Sequence, residues 1–140
     1  MDIRVYTKFP PQAMQIRRAV FVEEQGFIDE FDDTDAIATH LVAYDDASEP
    51  IATCRVFTQG SDGEFALGRF CVRKDHRGQR VGRQLLEVAE REVAVQGGRS
   101  IVLHSQLQAK GFYERCGYAA EGEIEYEQGR PHVFMRKMFD

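Results

Sequence analysis

Cysteine is scarce, long apolar runs are missing and positive charge does not prevail. Each shortage excludes a class of protein. The three cysteines, Cys54, Cys71 and Cys116, are odd in number, far apart and without metal-ligand spacing. Neither a disulfide scaffold nor a metal site is therefore expected, and the thiols read as reduced. No apolar run reaches the roughly 20 residues of a membrane span, and Met1-Asp2-Ile3-Arg4 lacks the basic and apolar regions of a signal peptide, so a cytoplasmic protein without membrane contact is expected. The 18 basic residues are outnumbered by 23 acidic ones, for a net charge of −5, which disfavours a general nucleic-acid binder. Repeats, low-complexity tracts and interior domain boundaries are also lacking. A chain of 140 residues with 43% hydrophobic and 29% charged content reads as one folded domain spanning residues 1–140.

What is present is uneven charge. Residues 73–83 hold Arg73, Lys74, Arg77, Arg80 and Arg83 against the single acid Asp75, whereas residues 23–35 hold seven acids and no Lys or Arg. The basic run is Arg77, Gly78, Gln79, Arg80, Val81, Gly82 and Arg83, between a strand ending near Val72 and a helix. Main-chain N–H groups at such a helix N-terminus favour an anion, here a pyrophosphate. The acidic run has two readings, a solvated loop or a substrate wall attracting amines. The EF-hand spacing of a calcium loop is missing.

Periodicity supplies the remaining elements. Ile3–Tyr6 reads as a strand and Gln12 to about Glu24 as a helix behind Pro10-Pro11, with Met14, Ile16, Ala19 and Val20 as its stripe. Thr39–Asp45 and Pro50–Thr58 form a hairpin, and Glu64–Val72 is the strand before the basic turn. Val81 to about Gln96 carries an apolar face and two i,i+4 pairs, Arg83–Glu87 and Glu87–Arg91. Ser100–Leu103 is a short strand, Gln106–Cys116 a helix ended by Gly117, and Ile124–Tyr126 with His132–Phe139 a closing hairpin. Strand, helix, strand, helix in the second half predicts a parallel pair among antiparallel neighbours.

The spacing Arg77-Gly-Gln-Arg-Val-Gly82 resembles the acetyl-CoA pyrophosphate loop of the GNAT acyltransferase superfamily, with Arg80 where a middle glycine is usual. Ala109-Lys-Gly-Phe-Tyr113-Glu-Arg-Cys-Gly117-Tyr118 resembles that family's late helix, with Gln106 in place of a common asparagine. Arg18-Ala-Val-Phe-Val-Glu-Glu-Gln25-Gly26, followed by Glu30, Asp32, Asp35 and His40, is similar to the ElaA-like branch, as are Ser105–Ala109 and Gly129–His132. Pro131-His132 also resembles glyphosate N-acetyltransferase, in which the equivalent histidine is the catalytic base.

The resemblance implies an α/β (α+β) GNAT fold: a mixed, mostly antiparallel sheet of about six to seven strands with a splayed parallel pair and about four helices. It implies acetyl-CoA as cosubstrate, no metal, and a homodimer as the assembly common among similar proteins. His132 would be the general base and Tyr113 the general acid. Phe70, Cys71 and Val72 would hold the pantetheine arm through their main chain, and residues 77–83 with Gln106 would hold the rest of the cofactor. Arg18, Gln25 and Arg69 stand as substrate contacts, Arg69 equally as a partner for an Asp or Glu across the sheet. His76 would tend phosphates, and His40 and His104 are the other histidines. The implied activity is acetyl transfer to the amine of a small molecule. The alternatives are a non-catalytic CoA-binding regulatory protein and a protein N-acetyltransferase.

Overall fold

Alternation along the strands places the helices. In Thr39–Tyr44 (β2), Leu41 and Ala43 face one side and Val42 and Tyr44 the other, all buried. A strand buried on both faces needs a layer on each. It pairs antiparallel with Asp2–Tyr6 (β1) and Pro50–Thr58 (β3), and Glu64–Val72 (β4) pairs antiparallel with β3. The computed structural model describes residues 1–28, 30–60 and 62–139, so Asp29 of the acidic run and Ser61 of the turn before β4 lie outside the described residues. Ser100–Gln106 (β5), Ala119–Glu127 (β6) and Arg130–Met138 (β7) complete a seven-stranded sheet in the order β1-β2-β3-β4-β5-β7-β6. The pair β4-β5 is parallel, so the sheet is the mixed, mostly antiparallel one expected.

Val81–Val95 (α2) covers one face, with Leu85, Leu86, Ala89 and Val93 packed in the cluster that holds Leu41, Ala43, Ile101 and Leu103. The other face is covered by Pro11–Arg17 (α1), which runs on as a π-helix over Arg18–Glu24. Pro11 occupies a first-turn position, where its missing N–H costs nothing. The single α-helix expected over this span is thus half π-helix, shown by Gln25 N–H reaching back five residues to the Val20 carbonyl at 3.0 Å. The buried face is Ala13, Ile16, Arg17, Val20 and Phe21, with Met14 and Ala19 at its margin.

Three boundaries also shift. β5 continues to Gln106, and the expected helix from Gln106 shrinks to a 3-10 turn, Leu107–Ala109, and Lys110–Arg115 (α3). β6 is nine residues long, yet every one is exposed, so it lacks the apolar alternation that identifies a strand. Of the two expected ion pairs on α2, Arg83–Glu87 forms at 3.4 Å and Glu87–Arg91 does not. No helix among the described residues is long and apolar enough to cross a membrane.

Within the acidic run Glu30 and Asp35 are buried and paired with arginines, while Glu23, Glu24, Asp32 and Asp33 are exposed. Arg17, only 1% exposed on the apolar face of α1, bonds the Glu30 carboxylate and sends both terminal nitrogens to Asp35 at 2.7 and 3.0 Å. Arg55 of β3 reaches Asp32 at 2.6 Å and Asp35 at 2.8 Å. Burial raises the Asp35 carboxyl, but hydrogen bonds from Arg17 and Arg55 outweigh it and hold the group below its ordinary value. The hydrogen bond from Arg55 holds Asp32 down as well. For Glu30 burial prevails over its arginines, and the carboxyl is raised.

Removing one side of a buried pair leaves the other uncompensated, at a cost of about 3–5 kcal/mol. Arg17→Met should lower unfolding stability by that amount in urea titrations, and a loss below about 1 kcal/mol would contradict the network's structural role. The depressed Asp32 and Asp35 stabilise the fold above the ordinary aspartate pKa of 3.8 and lose that contribution as pH falls through their lower folded values. The raised Glu30 has the opposite sign. Stability should therefore fall below about pH 4 in wild type, and less steeply in Asp35→Asn.

Candidate functional site

β4 and β5 pair only through Glu64↔Ser100, Phe65↔Ile101 and Ala66↔Val102, although β4 runs on to Val72 and β5 to Gln106. The parting coincides with an irregularity in β4. Arg55 faces Gly68 and Thr53 faces Cys71, so β4 carries one extra residue, and Arg69 adopts a left-handed φ of 52°. This is a β-bulge, which bends a strand and re-aims its groups. A non-glycine residue at such a φ costs roughly 1–2 kcal/mol. Arg69 is held there by Glu30, through its carboxylate at 2.9 Å and its carbonyl at 3.0 Å, and by Asp32 at 3.2 Å. The carboxylate partner of Arg69 is thus internal and comes from the acidic loop, not from across the sheet.

The parted strands open a cleft of about 1230 Å³. One end is built from the β4 terminus, the basic loop, α2 and α3. The N-cap of α2 is Arg80, at φ 66°, and no side chain caps the helix and no acid lies in its first turn. The leading N–H groups of Val81, Gly82 and Arg83 are therefore left for a ligand. Arg80 occupies its left-handed position without a glycine, and Gly78 supplies a second at φ 78°. A Cβ on Gly82 would come within 3.4 Å of Phe112 and 3.6 Å of Phe70, so glycine keeps this wall thin. Arg77 does not act as a free phosphate hand. Its terminal nitrogens both bond Glu24 at 2.7 Å and its Nε the Val72 carbonyl at 2.9 Å, fastening the loop to the π-helix and to β4. Arg80 and Arg115 line the cleft with no carboxylate within 4.0 Å among the described residues, while Arg83 faces Glu87. Uncapped N–H groups plus unneutralised guanidinium groups fit a polyphosphate.

Tyr113 of α3 lines the same cleft. Its ring packs edge-on against Phe70, Phe112 and Tyr118. Burial pushes its phenol up, so it stays protonated, and its hydroxyl makes no hydrogen bond to a described residue. A protonated, unengaged hydroxyl lining a cleft can donate.

The other end is built from the π-helix, the loop after it, β3, β5 and the β6-β7 hairpin. His132 on β7 is 6% exposed and lines it. Its Nδ1 lies 2.9 Å from the Arg130 carbonyl. A carbonyl only accepts, so Nδ1 carries a proton, and the tautomer this contact selects has its lone pair on Nε2. Three hydrogen bonds span from residues 25–28 to the opposite side: Gln106 to the Gln25 side chain, Ile28 N–H to Gln128, and Arg130 to the Gln25 carbonyl.

Every residue singled out from the sequence as a site residue lines this cleft except Gln79 and Arg18. Arg18 is exposed, with its guanidinium 5.7 Å from the centre of the Phe31 ring. His104 is a cleft residue, 3.4 Å from Glu127, and His76 lines the cleft beside Asp45 near the basic loop. His40 is buried, bonds the Asp35 carbonyl and stacks on Phe9, a structural role. Sequence reasoning missed Arg17, Glu24 and Glu127. For Arg17 a signal existed: a charged residue four after Ala13 and three before Val20 lies on the buried stripe and requires a buried partner. Glu24 and Glu127 depend on contacts 53 and 23 residues away in sequence and left no local trace.

Residues 10–139 match the model of the acetyltransferase (GNAT) domain. A Bacillus subtilis (strain 168) protein named only provisionally as an acetyltransferase is 41% identical over 133 residues, 91% of this chain and 88% of its own length. A Lactobacillus plantarum structure, named provisionally as an N-acetyltransferase, superposes with a TM-score of 0.88 at 36% identity, covering 99% of each chain. Escherichia coli ElaA gives 0.85 at 24% identity over 97% of this chain and 98% of its own. An aminoglycoside 6'-N-acetyltransferase complexed with coenzyme A shares the fold, with a TM-score of 0.76 at 18% identity, covering 99% and 97%.

Gly82→Glu would set a carboxylate against Phe112 and among the free N–H groups. It should abolish the thermal stabilisation given by acetyl-CoA, about 2.7 kcal/mol at 100 times Kd for an intact site. A variant that keeps the wild-type shift would overturn the cradle.

Proposed function

We propose, from the premise that this chain belongs to the GNAT acetyltransferase family, that it acetylates the amine of a small molecule with acetyl-CoA, using His132 as general base and Tyr113 as general acid. The observation that carries the reading is the placement of both groups on one cleft: an imidazole Nε2 with a free lone pair and a phenol with a free proton. Bound acetyl-CoA would supply an acetyl thioester open to attack by an amine. Its diphosphate would rest on the N–H groups of Val81, Gly82 and Arg83, with Arg80 and Arg115 supplying charge. The main chain of Phe70, Cys71 and Val72 would hold the pantetheine arm where β4 has left β5.

An alkylamine with a pKa of about 10 is almost wholly protonated at neutral pH and cannot attack until it loses a proton. His132 Nε2 would accept that proton, directly or through one water, while the Arg130 carbonyl fixes the ring by holding Nδ1–H. Tyr113 would give its hydroxyl proton to the departing sulfur of CoA, whose thiol titrates at about 8.5. The resemblance of Pro131-His132 to glyphosate N-acetyltransferase supports the first role.

The hydrogen bonds from Gln106, Gln128 and Arg130 to residues 25–28 bridge the acceptor end. A bridged end suits a small acceptor better than a polypeptide, which needs an open groove. Protein acetylation is therefore the weaker reading.

Thiol release over a panel of amines tests the activity. His132→Ala should lower turnover at least about tenfold with acetyl-CoA affinity within about threefold, because the ring acts on the acceptor proton. Tyr113→Phe should slow the single-turnover step without weakening cofactor binding. Unchanged turnover in His132→Ala at saturating amine removes it as the base.

A further inference from the structure

The charges along the cleft cancel almost everywhere except at its two ends. Glu24 is taken by Arg77, Glu30 by Arg17 and Arg69, and Arg55 by Asp32 and Asp35. The cofactor end keeps Arg80 and Arg115. At the acceptor end one lining carboxylate remains, Glu127, whose neighbour is His104 at 3.4 Å, an imidazole with no permanent charge. Arg130 faces Glu127 across the β6-β7 pair but turns elsewhere, to the Gln25 carbonyl and the face of Phe27, and does not line the cleft. Glu123 and Glu125 precede Glu127 on β6 without a cation within 4.0 Å among the described residues, so the local potential is negative.

Register sets the distance from this carboxylate to the candidate base. His132 lies opposite Glu125, and Glu127 is two residues farther on the same face of β6. Such diagonal neighbours are roughly 7–8 Å apart, within the span of a short alkyl chain. Across β7, His132 and Phe134 share that face with Gln106 and His104 of β5, their direct partners. Phe134 packs edge-on to His104 and lines the cleft, an apolar surface next to the base.

We infer that Glu127, seated beside His104, is a specificity-determining residue that selects acceptors bearing a second cationic group, of the diamine class. The assignment rests on the acetyl-transfer reading above. One nitrogen lies at His132 Nε2 and loses its proton. The other stays an ammonium against Glu127. The nearby arginines offer no rival site for an anionic acceptor group, because Arg55 and Arg69 are already neutralised and Arg18 lies outside the cleft.

Three probes of equal chain length isolate the terminal group: 1,4-diaminobutane, 1-aminobutane and 4-aminobutanoate. Calorimetric binding of each to CoA-saturated protein should favour the diamine by about tenfold over the monoamine, the worth of a charge-assisted contact, with the carboxylate weakest. Glu127→Gln should bring the diamine to within about threefold of the monoamine. Glu127→Lys should favour 4-aminobutanoate over the diamine. CoA affinity serves as the control for folding in both variants. Failure of wild type to bind the diamine, equal binding of all three probes, or an order unchanged in Glu127→Gln overturns the assignment. Thiol release with acetyl-CoA separates it from the reading beneath it. The predicted binding order without release sinks acetyl transfer and keeps the cation site. Release with no preference among the probes does the reverse.

Discussion

The cleft depends on two parallel strands failing to stay together. β4 and β5 pair for three residues and then part. A parted pair exposes unpaired main-chain groups, which are costly unless water or a ligand takes them. The bulge at Arg69 accompanies the divergence, and the left-handed backbone of a long, charged residue is stable there because Glu30 and Asp32 hold its guanidinium. Those two acids belong to the same network as Arg17 and Arg55. A segment that looks like acidic surface in the sequence is thus the internal brace of the cleft.

The brace is separate from His132 and Tyr113, the groups proposed to act on the substrates. The braced side is neutralised by arginine–carboxylate pairing, so little of its charge is offered to a ligand. Charge is offered at the two ends instead, cationic at the N-terminus of α2 and anionic at Glu127. A ligand pair with a polyphosphate on one partner and an ammonium on the other matches that polarity, and His132 and Tyr113 line the same cleft. Arg77 and Glu24 join the basic loop to the π-helix, tying two walls of the cleft together.

Local patterns revealed most of the fold. β3 and β4 are found within their expected bounds, and α2 within a residue, because their apolar periodicity is strong. The wholly exposed β6 was only partly legible, for it buries nothing that a periodicity can register. The basic loop was readable because its chemistry is local, a run of glycine and arginine before a helix. Arg69 illustrates what was not: a carboxylate partner was one of two readings of its side chain, yet nothing in the sequence said that the partner is the loop acid Glu30 or that its backbone is left-handed. His132 was singled out by a resemblance, while the lone pair on its Nε2 became evident only from the carbonyl of Arg130 beside Nδ1.

On the proposed reading, the freed edge of β4 receives the cofactor. Amide hydrogen exchange along that strand, with and without acetyl-CoA, addresses it directly. Slow exchange in Phe65, Ala66 and Cys71 in both states, with Phe70 and Val72 gaining protection only when acetyl-CoA is added, is the predicted result. Protection of Phe70 and Val72 that acetyl-CoA leaves unchanged would contradict it.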